Sequence, residues 1–310
     1  MASDSTPKPR RLWRWLVYLA LALFFLGAAG TTTIYALSSS RLNQHYDVNP
    51  RPVFIPDDDP REIARGKYLA RTLMGCVDCH GENFAGRVVV DDPAIGLMAG
   101  PNLTRGKGSR TKDYTDIDWV RAIRHGVARD GHALVLMPAT DFNGFGDDDL
   151  GAVIAFLKQL PPVDNETPPI SVGPLARALI LAGEIKLSAE LIDHEAERPI
   201  TPPPGPTREY GKVLANVCSG CHGFTFSGGK IPGAPPEWPA ARNITPDKAT
   251  GIGTYTFEDF KRVLREGKRK NGDTLSEVMP YKLYKDMSED DITALWLYLK
   301  TLEPKAAGGR

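Results

Sequence analysis

Residues 76–80 read CVDCH and residues 218–222 read CSGCH, and these two pentapeptides use all four cysteines of the 310-residue chain. A secreted disulfide framework spreads its cysteines to staple distant loops, and a redox dithiol needs no histidine directly after its second thiol. A zinc site needs four ligands, whereas each cluster offers three within five residues; two cysteine knuckles sharing one zinc is the metal reading that remains. The spacing C-x-x-C-H matches covalent attachment of a c-type haem. Two thiols so placed can each add to one vinyl group of a porphyrin, while the adjacent imidazole reaches the iron from the same face. The expected attachment residues are Cys76, Cys79, His80, Cys218, Cys221 and His222, holding two covalently bound haem c groups.

Iron bound by one histidine keeps an open axial position, and what fills it separates an electron carrier from an enzyme. Of six methionines, Met137 and Met279 each lie 57 residues after their own haem histidine and each precedes a proline, Pro138 or Pro280. A thioether is a neutral, soft ligand that favours ferrous iron, and the proline restricts the loop that presents it. The expected iron ligands are therefore His80 with Met137 and His222 with Met279. Met74, Met98 and Met287 have no counterpart at the repeat spacing and read as core filler, with Met98 and Met287 the runners-up. His125, His132 and His194 do not repeat either and read as structural or surface residues. With both axial positions filled the chain is an electron-transfer protein, not an enzyme, with no small-molecule substrate. A two-haem peroxidase with one open site is the alternative from another class.

The elements that must place these groups also occur twice. The two haem motifs are 142 residues apart, and the segments ending DLGAVIAFLKQLPP and DITALWLYLKTLEP align at the same offset. YTDIDWVRAIRHGVARDG matches YTFEDFKRVLREGKRKNG, with Thr115 and Thr256 as helix caps, Asp118 and Asp259 three residues on, and Gly126 and Gly267 as helix ends. Tyr114 and Tyr255 are placed to staple onto Trp119 and Phe260. Gly66 and Gly211, on the helix before each motif, permit a close helix crossing. The fold class expected is all-α, with two tandem haem domains at residues 60–162 and 207–303, separated by a proline-rich, partly ordered spacer at 163–206 with a short helix near 174–183.

Before these units, residues 15–37 carry no charge and follow Lys8, Arg10, Arg11 and Arg14. As a helix this stretch is about 34 Å long, enough for a hydrocarbon core of about 30 Å. It reads as an uncleaved single-pass anchor with residues 1–14 in the cytoplasm and both haem domains on the periplasmic side of the cytoplasmic membrane. Lys and Arg total 38, as do Asp and Glu, so no nucleic-acid partner is expected. The basic stretch 261–270 is a candidate for docking an acidic redox protein, against the plainer reading of a solvated helix face.

These residues together resemble the class I cytochrome c family. The likeness covers residues 60–162 and 207–303 and rests on CxxCH, on GPNLT at 100–104 and NIT at 243–245, on the Met-Pro pairs and on the aromatic-bearing last helices. The sequence is most similar to cytochrome subunits of periplasmic alcohol or sugar dehydrogenases, above all in NITPDKATGIGTYTFEDF. The resemblance implies small helical haem domains and an orienting hydrogen bond from His80 to the carbonyl of Pro101. The second unit has Arg242 in place of that proline, so the resemblance assigns no orienting group to His222. Those subunits carry three haem motifs where this chain has two. A dehydrogenase, a soluble cytochrome or a terminal oxidase is the implied redox partner, and a fixed place in a dehydrogenase complex is the variant of that reading.

Overall fold

The computed structural model describes residues 9–235 and 237–310; Lys8 and the rest of the expected cytoplasmic segment before Pro9 lie outside the described residues. Helix α1 (Pro9–Leu42) is longer than the apolar stretch, because nothing in SSSRL interrupts it. Its 34 residues span about 51 Å. Among the described residues it is the one helix long and apolar enough to cross a membrane. Its far end is held by polar contacts. Arg177 donates to the Ser38 and Ser39 hydroxyls at 2.8 and 3.0 Å and lies over the Tyr35 ring at 4.6 Å. Arg41 pairs with Glu190 at 2.7 Å.

The first unit runs α2 (Pro60–Tyr68), a π-helical turn Leu69–Leu73, α3 (Cys76–His80), α4 (Asp116–His125), α5 (Ala139–Phe142) and α6 (Asp147–Lys158). The spacer supplies α7 (Pro174–Leu181) and α8 (Ser188–Leu191). The second unit repeats the plan as α9 (Arg208–Leu214), α10 (Asn216–His222), α11 (Phe257–Glu266), α12 (Tyr281–Tyr284) and α13 (Glu289–Leu299). In both units the Thr–Asp capping box forms, at Thr115/Asp118 and Thr256/Asp259. Both helices stop at a left-handed glycine, Gly126 or Gly267, each at φ 65°. Tyr114 stacks edge-on to Trp119 at 5.4 Å, whereas Phe260 stacks on Trp296 of α13 at 5.4 Å.

The helix crossings confirm the two glycines. A Cβ at Gly66 would collide with the Ala152 carbonyl of α6, and one at Gly211 with the Ala294 carbonyl of α13. Only hydrogen at these positions lets α2 and α9 lie directly on their partner helices.

The molecule is mostly helical, at 43%, but not all-α. Strands β1 (Arg87–Asp92) and β2 (Gly96–Gly100) form an antiparallel hairpin, and β3 (Ser171–Val172) from the spacer adds to its edge. The run RVVV favours a strand, and Asp92 Oδ1 turns the chain by accepting from the Ala94 and Ile95 amides at 2.8 and 2.9 Å. The equivalent stretch of the second unit, KIPGAPPEWPA, is proline-rich, and among the described residues there the pairing is a single bridge, Gly229 to Ala241.

The spacer is bound to the first unit as a belt. Asn165 donates to the Ala85 carbonyl at 2.8 Å, Ser188 to the Met137 carbonyl at 3.0 Å, and the Thr201 hydroxyl accepts from the Gly146 amide at 2.7 Å. His125 and His194 share a hydrogen bond at 3.1 Å between their Nδ1 atoms. These are structural roles, as expected for histidines that do not repeat.

Candidate haem-binding sites

Each attachment pentapeptide is a short helix whose two cysteines lie three apart, on the same side of the turn. Gly75 enters α3 at φ 57°, while α10 follows α9 after the single residue Ala215. None of the four cysteines is paired in a disulfide. Burial pushes Cys76 and Cys218 up to about 12 and also raises Cys79 and Cys221. A reactive redox dithiol needs the opposite shift, so the apolar surroundings of these cysteines do not suit one. Among the described residues no three His, Cys, Asp or Glu side chains converge as a metal site, which removes the support for a shared zinc.

His80 and His222 are 8% and 7% exposed, and burial lowers both below the usual imidazole range. A neutral ring with one nitrogen hydrogen-bonded leaves the other nitrogen's lone pair free. His80 Nδ1 sits 2.8 Å from the Pro101 carbonyl, and His222 Nδ1 sits 2.6 Å from the Arg242 carbonyl. The gap left by the missing proline thus closes without it, because a main-chain oxygen accepts the bond and the side chain above it is immaterial. Donation from Nδ1 turns Nε2 of each ring toward a metal.

In the first unit Cys76, Cys79, His80 and Met137 all line one apolar cavity, walled further by Trp119, Ile123 and Val153. That lining suits a porphyrin: thiols and imidazole on one wall, a thioether on another, hydrocarbon between. Met74 also borders it, next to the attachment peptide, while Met98 lies in β2 outside the lining. Met137 and Met279 share one backbone course. Pro138 has φ −83° and ψ 59°, Pro280 has φ −78° and ψ 47°, and the amides of Ala139 and Tyr281 bond back to the methionine carbonyls at 2.9 and 2.8 Å. Met287 is buried at 2% in the core between α12 and α13.

Two supporting features escaped the sequence reading. Phe84 and Phe226 have φ of 59° and 60°, the only non-glycine residues with positive φ among those described. Each lies four residues after a haem histidine, and the aromatic of the last helix packs on it: Phe156 on Phe84 at 5.5 Å, Tyr298 on Phe226 at 6.2 Å. The asparagine of N-x-T is the second. Asn102 Nδ2 donates to the Val163 carbonyl at 2.8 Å, and Asn243 Nδ2 to the Lys305 carbonyl at 2.6 Å. Each pins the chain leaving the unit's last helix against the haem-histidine loop. The repeated letters were visible, but their long-range partners were not.

The units interlock at their attachment peptides. Helix α5, directly after Met137-Pro138, packs on α10, and α12, directly after Met279-Pro280, packs on the π turn preceding α3. A Cβ at Gly75 would stand 3.2 Å from Leu283, and one at Gly220 would stand 2.5 Å from Asp141. Farther along the seam Arg65 pairs with Asp149 at 3.0 Å and donates to Tyr210 at 2.8 Å, and Tyr68 donates to Asp291. The basic stretch 261–270 is largely neutralised by carboxylates that flank it and by one on α13. Lys261 pairs with Glu258 and Glu289, Arg262 with Asp259, and Arg265 with Glu289. It is a solvated helix face more than a docking patch.

The family model for cytochrome c matches residues 63–161 and 209–303. The gluconate 2-dehydrogenase cytochrome c subunit of Pantoea cypripedii is 30% identical over 290 residues, 82% of this chain and 63% of the relative. The fructose dehydrogenase cytochrome subunit of Gluconobacter japonicus is 32% identical over 140 residues, 43% of this chain and 28% of its own length. The cytochrome c subunit of a quinone alcohol dehydrogenase from Gluconobacter oxydans is 41% identical over 94 residues, 29% of this chain and 20% of its own. This chain thus spans less than two thirds of the length of these relatives. Two matched segments, each with thiols, a carbonyl-oriented imidazole and a proline-backed thioether in one frame, make this chain a member of the cytochrome c family, an electron-transfer protein with covalently bound haem c.

Proposed function

We propose that the chain is a membrane-anchored, two-haem electron carrier, taking electrons from a periplasmic sugar- or alcohol-oxidising dehydrogenase and delivering them to a soluble cytochrome or terminal oxidase. In this reading residues 60–162 and 207–303 each take one haem c. Cys76 and Cys79 would attach the first and Cys218 and Cys221 the second, and His80 with Met137, and His222 with Met279, would hold the irons. Haem so held would supply one-electron exchange. The chain's residues hold that exchange to small rearrangements. Carbonyls fix the two imidazoles, Met-Pro turns fix the two thioethers, and glycine crossings lock the helices that carry them.

The observation that carries the reading is the interlock of the attachment peptides. Each Met-Pro helix of one unit rests on the attachment segment of the other, which supports transfer between the two sites within one chain. Helix α1 supports anchoring, and its tie to the spacer through Arg41 and Arg177 favours the first unit as the membrane-proximal one. The relatives' names support a dehydrogenase as donor.

The test is purification in mild detergent from a host that assembles c-type cytochromes. The expected product carries two covalent haems per chain, stays low-spin and binds no carbon monoxide when reduced. It is reduced rapidly by a sugar or alcohol dehydrogenase and substrate. Carbon monoxide binding at one haem would replace this reading with the peroxidase, and a preparation without porphyrin would end it.

A further inference from the structure

The seam between the units contains one carboxyl that the electron-carrier reading does not use. Asp141 lies on α5, four residues after Met137, with an oxygen 2.5 Å from where a Cβ of Gly220 would stand, between Cys218 and Cys221. Its hydrogen bond among the described residues comes from the Thr140 hydroxyl at 3.5 Å. The groups facing it are few. From α10 come Cys218 and Cys221, which no longer titrate once linked to haem, and from α12 comes the buried phenol of Tyr284. Arg310 reaches the same turn but its guanidinium bonds to main chain, donating to the Cys221 and Gly220 carbonyls at 2.6 and 3.1 Å. Burial pushes the Asp141 carboxyl up to about 7, into the range where it exchanges protons with neutral water.

The repeat shows that the fold does not require this carboxyl. Leu283 occupies the corresponding place on α12, facing Gly75 beside the first attachment peptide. The carboxyl nearest that side, Asp78, is solvent-exposed, and burial raises it less far than it raises the half-buried Asp141. The larger burial cost on one side of a near-symmetric seam, where leucine serves on the other, marks a group with a role.

We propose that Asp141 is the proton acceptor coupled to reduction of the haem attached at Cys218 and Cys221, so that the second site takes up a proton with its electron while the first does not. This rests on the two-haem reading. One electron from the donor dehydrogenase lowers the charge of the iron by one. One proton from solvent adds to the Asp141 carboxylate to give the neutral acid, leaving the charge of the seam unchanged. Oxidation by the acceptor reverses both transfers. Reduced iron stabilises a nearby carboxylate less than oxidised iron does, so the proton affinity of Asp141 is higher in the reduced protein. A tenfold difference in that affinity moves the potential of the second site by about 59 mV across the titrating range.

The test is a redox titration of the full-length protein in detergent, from about pH 5 to 9, with the two haems resolved. The wild type is expected to show one haem whose potential falls as pH rises and one that is flat in the same range. Asp141→Asn, and Asp141→Leu as the variant already accommodated by the repeat, should flatten the first. Leu283→Asp should give the other haem a slope. Haem content separates the two failures: two haems with an unchanged slope in both Asp141 variants, or a flat wild type, overturn this assignment alone. Absence of covalent haem overturns the electron-carrier reading as well.

Discussion

The two units carry the same frame but are held differently. The first is wrapped by the spacer: Ser188 grips the Met137 carbonyl, Asn165 the Ala85 carbonyl, and Arg198 pairs with Asp147. The second is closed by its own following residues, through Asn243 to Lys305, Thr225 to the Gly309 carbonyl, and Arg310 to the attachment peptide. What both retain is a small set: two thiols, a carbonyl-bound imidazole, a Met-Pro turn, a glycine crossing and a left-handed phenylalanine. What differs is the means of bracing the outer edge. The haem frame is therefore separable from its supports, and the belt makes the first unit the better place to tie an anchor.

The sharpest break of the comparison is to remove one attachment site. Cys218→Ala with Cys221→Ala should halve the covalent haem content, leaving the first unit loaded, as read by haem quantitation; loss of both haems would mean the units do not assemble independently. Next is the seam. Arg65→Ala leaves Asp149, whose side chain is 7% exposed, without its cation and strips Tyr210 of a donor, for an expected loss of about 3–5 kcal/mol in chemical denaturation. An effect confined to one of two unfolding steps would show that the seam adds little to the other unit.

A pH prediction separates the units more finely. Burial, then the charges of His194 and Arg124, lowers His125 to about 4 from an ordinary value near 6.5. Because the unfolded chain binds the proton more readily, stability is fully present above about pH 6.5 and falls as pH drops toward 4. We expect about 2 kcal/mol of loss, in the first unit alone, since Glu266 stands at that place in the second. His125→Gln should flatten that profile in thermal melts at pH 4.5 and 7. The smallest effect is Ser188→Ala, about 1 kcal/mol from one hydrogen bond. Its signature is weakening of the ferric sulfur-to-iron absorption of one haem out of two.

Much of this was legible in the sequence because the signals are local. CxxCH, the Thr–Asp caps, Gly126 and Gly267 as helix ends and the uninterrupted apolar run each depend on neighbours within a few residues. The duplication added more, since an offset of 142 singled out Met137 and Met279 without a structure. The hairpin at 87–100 was missed because only one unit forms it: the similarly long stretch of the second unit is proline-rich, so the repeat gives no guidance. The spacer read as only partly ordered because its prolines preclude long helices, yet proline leaves side chains and carbonyls free to bond to a neighbouring surface.

Thus the linear order of residues by itself determined the haem chemistry, the twofold repeat and the apolar first helix, since covalent spacing and local backbone preferences suffice for these. Only the tertiary structure decided that Arg242 can stand in for proline, that the spacer belongs to the first unit, and that a leucine faces one attachment peptide where an aspartate faces the other. Those outcomes depend on which main-chain oxygens and side chains meet across long separations, and packing, not periodicity, selects them.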